Sequence, residues 1–128
     1  MEQYLMHLEE IFIRTCMILR VKGFKMKIMN RQGPVKNLNG LTLGYIKLSE
    51  KLIVLDVLTP KRRQPRSVNS ILRLLAHELA HYQRPPYRQR YKGRWIIRQH
   101  YPRFYKQVNK NIEKLKNDDY FKQYFRNE

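Results

Sequence analysis

The stretch Ile71–Tyr87, ILRLLAHELAHYQRPPY, decides how the rest of the chain is arranged. Its apolar residues recur at three- and four-residue spacing and the pattern ends at two consecutive prolines, which predicts a helix over about 68–84. Ser67 or Asn69 can cap the first turn of this helix. Two histidines four residues apart lie within it, so both imidazoles project from one face, one turn apart. The helix is therefore a core element and a candidate metal site.

The chemistry of this helix depends on three residues. His77 and His81 can present two ring nitrogens to one zinc ion at roughly 2.0–2.1 Å. Glu78 follows His77 directly and projects beside the pair, where it can reach water next to the metal without binding the metal. The HExxH pattern therefore predicts two zinc ligands and a general base. The alternative is an ordinary helix whose two histidines bind no metal.

A catalytic zinc site needs a third protein ligand and leaves one position open for water. His100 lies nineteen residues after His81, so the connection can return to the metal. Glu113 on the next helix is the alternative ligand, although neighbouring lysines favour a solvated, salt-bridging role for it. His7 is expected on the polar side of the first helix, away from the site. We therefore expect one Zn²⁺ held by His77, His81 and His100.

Patterns on both sides of this helix predict the fold class. They indicate an amphipathic helix over 4–21, a half-buried strand at 24–30, two strands at about 41–48 and 52–58, and a C-terminal helix that begins near Pro102. The predicted order is a helix, a small mixed or antiparallel sheet of about three strands, the histidine helix and a C-terminal helix. This is an α+β fold, and residues 1–128 are expected to form a single domain.

The chain is strongly basic, with 27 lysines and arginines against 10 acidic residues and a net charge of +17. Between Val57 and Ile112, Glu78 is the only acidic residue, against 14 lysines and arginines. Such a charge favours polyanions, above all nucleic acid. The alternative is a surface whose charge serves only solubility.

The connection at 87–101 concentrates this charge and is expected to be a loop with a short helix around Trp95–Gln99. Tyr87, Tyr91 and Trp95 lie among its cations, a mixture that suits phosphate contacts and base stacking. The alternative is that these aromatic residues, Trp95 in particular, pack in the core. The candidate nucleic-acid contacts are Arg84, Arg88, Arg90, Lys92, Arg94 and Arg98.

Other features bear on the compartment of the protein. Cys16 is the only cysteine and is expected on the buried face of the first helix, which fits a reducing compartment. No apolar run is long enough to span a bilayer, and the N-terminus carries acids where a signal peptide has bases. These features favour a cytoplasmic protein, able to associate with the nucleoid, that has no membrane partner. They leave the oligomeric state open.

Two motifs, HELAHYQ at 77–83 and HYPRFYKQVNKNIEKL at 100–115, together resemble the SprT-like and WLM group of small zinc metallopeptidases. The pattern of that group is HExxH, a spacer, and then a histidine followed by x-x-x-Phe, here His100 and Phe104. The stretch GYIKLSEKLIVLDV at 44–57 resembles the sheet that precedes the active-site helix. The resemblance covers about residues 40–116, and Tyr101 departs from it, because many relatives have glycine there.

The resemblance implies a zinc metalloendopeptidase in which a peptide pairs with an edge strand. It also implies, for enzymes of the Spartan type, action on proteins attached to DNA. Tyr101, Tyr105 and nearby arginines are candidate donors to the oxyanion. The small size is similar to that of minigluzincins, whose C-terminal segment can block the cleft, a role that Asp118–Phe121 could have here. The alternative function is a non-catalytic, basic nucleic-acid-binding protein with a structural or vestigial zinc site.

Overall fold

The structure is a computed structural model that describes residues 1–31, 33–35 and 42–126. The helices are α1 (Glu2–Leu19), α2 (Val68–Gln83) and α3 (Pro102–Lys116), and the strands are β1 (Lys25–Ile28), β2 (Gly44–Lys47), β3 (Leu52–Leu55), β4 (Tyr87–Tyr91) and β5 (Arg94–Arg98). Short 3-10 helices cover Leu48–Glu50 and Phe121–Phe125. The predicted α+β class is confirmed.

The first three strands form one mixed sheet with β3 in the centre, parallel to β1 and antiparallel to β2. β3 is central because its residues are apolar on both faces, and Ile53, Val54 and Leu55 are all buried. The turn between β2 and β3 is tight, with Lys51 in the left-handed region at φ 49°. The strand predicted at 41–48 is shorter in the structure, and residue 41 lies outside the described residues. β2 is left as an outer strand.

One hydrophobic core joins the helices, the sheet and the C-terminal segment. Leu8 of α1, Leu75 of α2, Leu115 of α3 and Phe121 of the tail are all fully buried in it. Cys16 packs against this core and is half-buried, and burial raises the pKa of its thiol to about 11. In the parts of the chain that the structure describes, no helix has the length and apolar character needed to cross a membrane.

Contacts at both ends of α2 fix its position. The hydroxyl of Ser67 accepts a hydrogen bond from the Ser70 backbone N–H at 3.2 Å, so Ser67 is the N-cap. The buried amide nitrogen of Asn111 on α3 donates to the Ala76 carbonyl at 3.0 Å and to the Gln83 side chain at 2.7 Å. α3 is thereby held along α2, which brings the start of α3 next to the histidines.

The connection between α2 and α3 is a two-stranded antiparallel hairpin, β4–β5. The prediction of a loop with a short helix around Trp95–Gln99 was wrong. Lys92 and Gly93 both have positive φ, 48° and 77°, which is the turn geometry that matches the twist of a two-residue hairpin. Trp95 is 58% exposed, so the expectation that it packs in the core was also wrong.

Candidate metal centre

Three histidines converge on one point beside α2. His77 and His81 come from successive turns of α2, and His100 comes from the segment between β5 and α3. One ring nitrogen of each lies within 4.8 Å of the others. Ligand atoms about 2.1 Å from a tetrahedral zinc ion lie about 3.4 Å apart, so small ring rotations would complete the arrangement. The three histidines could therefore bind a metal ion, and the donor set suits one.

Phe104, in the first turn of α3, forms the wall behind these rings. It is fully buried, and its ring stacks on that of His81 with a centroid distance of 4.3 Å. It meets His77 and His100 edge-on at 5.1 and 5.2 Å. One apolar side chain thus restricts all three imidazoles. The sequence indicated Phe104 as part of a motif and of the α3 stripe, whereas its contact with every histidine required the fold.

The surroundings of the two imidazoles on α2 favour their neutral form. Burial lowers the pKa of His81 to about 4, and the charges of His77 and His100 act in the same direction. Burial, followed by the charge of His100, also lowers the pKa of His77. Neutral imidazole is the form that binds metals, so this environment favours metal binding.

Glu78 lies in the same cleft as the histidines and is 6% exposed. Burial raises the pKa of its carboxyl group to about 7. Within the described residues, Glu78 makes no hydrogen bond or salt bridge, so no cation offsets the cost of burying its charge. A carboxyl group with a pKa near neutrality can both accept and return a proton.

The cleft has a volume of about 910 Å³ and lies between the sheet and α2. Gly44, Tyr45 and Ile46 of β2 line one wall, and the α2 residues line the other. The ends of the hairpin segment, Pro86 and Gln99, complete the rim. An outer strand, two turns of the histidine helix and the base of the hairpin therefore enclose one site.

Two other candidate metal-site residues lie elsewhere. Glu113 is exposed, forms a salt bridge with Lys116 at 3.8 Å and is outside the histidine group, in agreement with the salt-bridging role expected for it. A ring nitrogen of His7 contacts the Tyr120 hydroxyl at 3.3 Å, and His7 is outside the histidine group. The alternative third ligand is therefore not positioned for this site.

The tyrosine candidates for an oxyanion donor differ in their contacts. The Tyr101 hydroxyl donates a hydrogen bond to the Pro85 carbonyl at 2.8 Å, so it ties the two ends of the hairpin segment together. Tyr105 is half exposed, and its ring lies against that of His100 with a centroid distance of 6.1 Å. Of the two, Tyr105 has the available hydroxyl.

The described part of the C-terminal segment, residues 117–126, does not line the cleft. Phe121 and Phe125 are buried in the core, and the Asn69 side chain donates to the Tyr124 carbonyl at 2.9 Å. The expectation that Asp118–Phe121 could block the cleft was wrong, because the aromatic side chains of the tail are part of the hydrophobic core.

The predicted nucleic-acid contacts lie on the hairpin and just before it. None of them makes a salt bridge with a described residue, and all are exposed except Arg98, which is half-buried. Three of the arginines lie over aromatic rings of the same hairpin. The sequence signal for this hairpin was the alternation of tyrosine and arginine around Lys92-Gly93, and it was not recognised as a strand pattern. The group comprises Arg84, Arg88, Arg90, Lys92, Arg94 and Arg98.

Comparisons of this chain with protein-family models, with curated proteins and with solved structures found no match. The resemblance to the SprT-like group therefore depends on the two quoted motifs and the stretch before them.

Proposed function

We propose that this protein is a zinc metalloendopeptidase of the SprT-like type that acts on or near DNA-bound proteins. The observation that carries the proposal is the convergence of His77, His81 and His100 beside the buried Glu78, on the floor of a cleft whose other wall is an outer strand. Structural zinc sites normally have four protein ligands. The described residues offer three here, which favours an open, catalytic site.

Each residue of the site has a role in this proposal. The three imidazoles hold the ion, which would supply a Lewis acid that lowers the pKa of water and polarises a peptide carbonyl. Glu78 takes a proton from the attacking water and delivers it to the leaving amine. Phe104 keeps the imidazoles in place and excludes water from behind them. Tyr105 is the candidate donor to the oxyanion.

The substrate would enter as an extended peptide. Within the described sheet, β2 pairs only with β3, so its outer edge can hydrogen-bond another strand. Because β2 lines the cleft opposite the histidines, a peptide paired there would pass in front of Glu78. The exposed cations of the hairpin, whose base forms the rim of the same cleft, support the association with nucleic acid.

The test compares the wild-type protein with Glu78→Gln. Zinc content is measured on the purified proteins, and hydrolysis is followed with fluorescently quenched casein. We expect about one zinc ion in both proteins and a loss of hydrolysis on the order of 10²- to 10⁴-fold in the variant, because general base catalysis has that magnitude.

The matched control is Glu113→Gln, which removes an exposed carboxylate outside the cleft and should change neither quantity. Unchanged hydrolysis in Glu78→Gln would rule out the assigned base. A wild-type protein that binds zinc and nucleic acid but cleaves no protein would favour the alternative, a non-catalytic nucleic-acid-binding protein with a structural or vestigial zinc site.

A further inference from the structure

The β4–β5 hairpin has two distinct faces, because side chains alternate along a strand and directly paired residues share a face. The strand register pairs Arg90 with Trp95 and Arg88 with Ile97. These four residues form one surface, which we name the Trp95 face. The opposite surface, the Tyr91 face, consists of Tyr87, Gln89, Tyr91, Arg94, Ile96 and Arg98.

The Trp95 face points away from the rest of the protein. Trp95 is 58% exposed and Ile97 is 65% exposed. The guanidinium carbons of Arg88 and Arg90 lie 4.9 and 5.6 Å from the centroid of the Trp95 ring. An exposed indole flanked by two planar cations is therefore present on an outward surface.

The Tyr91 face differs because it turns partly towards the protein. Tyr87 packs edge-on against Tyr101 at 4.9 Å, and Ile96 is half-buried. Arg98 donates to the Gln89 side chain at 2.8 Å and lies over Tyr91 at 5.7 Å. The arginine and aromatic side chains of this face are therefore engaged in contacts within the protein to a greater extent than those of the Trp95 face.

The charge around the hairpin selects a polyanion. No aspartate or glutamate occurs between residues 79 and 112, so the hairpin cations have no carboxylate in their own segment. Arginine predominates over lysine on the hairpin, and arginine both pairs with phosphate in a bidentate manner and stacks on planar groups.

From this geometry we propose that the Trp95 face binds single-stranded nucleic acid, with a base stacked on Trp95 and the neighbouring phosphates held by Arg88 and Arg90. The inference rests on the nucleic-acid part of the proposed function and specifies its surface and the form of the nucleic acid. Stacking on an aromatic side chain needs the flat surface of a base, which a single strand exposes and a duplex keeps within its own stack.

An anionic membrane is the main competing partner, since exposed tryptophan and arginine also suit lipid headgroups. Insertion into a lipid surface needs one apolar face opposite a polar one. On this hairpin both faces carry arginine and the tip is Lys92-Gly93, so no apolar surface is available for insertion. The observations therefore favour nucleic acid.

The position of the hairpin connects this surface with the cleft. Pro86 and Gln99, at the two ends of the hairpin segment, line the cleft beside the histidines. A strand bound to the Trp95 face would therefore be held on the hairpin whose base borders the cleft.

The experiment uses the fact that Trp95 is the only tryptophan of the chain, so fluorescence excited at wavelengths that tyrosine does not absorb reports on this face alone. The full-length protein is titrated at moderate salt with four probes: a twelve-nucleotide oligothymidylate, a duplex of the same length, heparin, and vesicles containing phosphatidylserine. We expect the oligothymidylate to quench Trp95 and to bind more tightly than the duplex. Heparin should bind without comparable quenching, because it has no bases.

Two matched variants separate the faces, each replacing an exposed aromatic side chain of the hairpin by leucine with no change of charge. Trp95→Leu should weaken binding of a labelled oligothymidylate by about 5- to 150-fold, the range expected for the loss of one stacked base. Tyr91→Leu should leave the affinity within about twofold, because it lies on the opposite face and does not stack on a base in this proposal. Fluorescence anisotropy of the oligonucleotide measures both.

Several outcomes would overturn the proposal. Equal losses in the two leucine variants would mean that the strand does not bind to the Trp95 face in particular, and an unchanged affinity in Trp95→Leu would mean that the charge of the hairpin binds the strand without stacking. Tighter binding of the duplex, or a Trp95 response to vesicles and none to the oligothymidylate, would assign the surface to another partner. All measurements are repeated with Glu78→Gln, which keeps the hairpin intact. If Glu78→Gln binds the oligothymidylate but cleaves no protein, the stacking surface is supported independently of the peptidase activity.

Discussion

The histidine helix α2 and the β4–β5 hairpin are adjacent in sequence and opposite in character. α2 is buried along one side, capped by Ser67 and clamped by Asn111. The hairpin is exposed along most of its length, and the main contacts of its strands are with each other. The chain runs from His81 in the last turn of α2, through the hairpin, to His100. A buried helix and an exposed hairpin therefore both position residues of one group of histidines.

The two regions are held in place by different contacts. The candidate metal centre takes its geometry from core packing, since Phe104 contacts all three imidazoles and is itself fully buried. The hairpin can carry charged and aromatic side chains on its surface because its own strand pairing, not the core, holds its backbone. The proposed nucleic-acid surface and the candidate metal site can therefore lie close together in the sequence while different contacts hold each of them.

The largest expected effect is on folding stability, when one aromatic side chain is removed from each region. Phe104→Ala should destabilise the protein by about 3–5 kcal/mol, because a buried phenylalanine is replaced by a cavity. Trp95→Ala should cost about 1 kcal/mol or less, the scale of exposed cation–π contacts. Urea denaturation in the presence of a chelator measures both without a contribution from bound metal. Similar losses would mean that the hairpin is part of the core.

The next effect concerns His100, the proposed third ligand, which lies between the hairpin and α3. His100→Ala should reduce zinc affinity by more than about 100-fold, since the loss of an outer supporting contact alone costs 10- to 100-fold. Competition with a chromophoric chelator measures this affinity. Glu113→Ala is the matched control for the rejected ligand and should leave the affinity unchanged. A comparable loss in the control would show that the metal is bound by a different set of residues.

The sequence predicted α2 and its site residues because several local signals agreed. The apolar spacing of Ile71, Leu75 and Leu79 marks a helix, the histidines repeat at one turn, and the prolines end the pattern. These signals act within a few residues of each other, so they can be recognised without the fold. The sequence also predicted His100 as the third zinc ligand, and in the structure His100 lies in one group with His77 and His81 that could hold a metal ion.

The hairpin was missed because its two strands do not both show the regular alternation of apolar and polar residues that marks a half-buried sheet: arginine alternates along β4, but Trp95, Ile96 and Ile97 are consecutive in β5. Trp95 and Ile97 are exposed together with Arg88 and Arg90, so the hydrophobicity of a residue does not indicate which face of the hairpin is turned towards the protein. The tie between Tyr101 and Pro85 likewise joins residues sixteen positions apart, and only the paired strands bring them together. Lys92-Gly93 was the one local signal of the turn.

The hydrogen bond between Tyr101 and Pro85 leads to the prediction with the smallest expected effect. Tyr101→Phe removes the hydrogen bond to the Pro85 carbonyl and keeps the ring that packs against Tyr87. A hydrogen bond of this kind contributes about 0.5–1.5 kcal/mol. If it holds the two ends of the hairpin segment together, and with them His100 beside α2, zinc affinity should fall by about 2- to 10-fold.

The control for this last change is Tyr105→Phe, which removes a hydroxyl from a half-exposed tyrosine that stacks on His100. It should leave zinc affinity unchanged, because its ring remains and its hydroxyl makes no hydrogen bond within the described residues. Competition with a chromophoric chelator measures the zinc affinity of both variants. If Tyr101→Phe lowers stability but not zinc affinity, the hairpin ends move without moving His100, and α3 alone, held on α2 by Asn111, positions the third ligand.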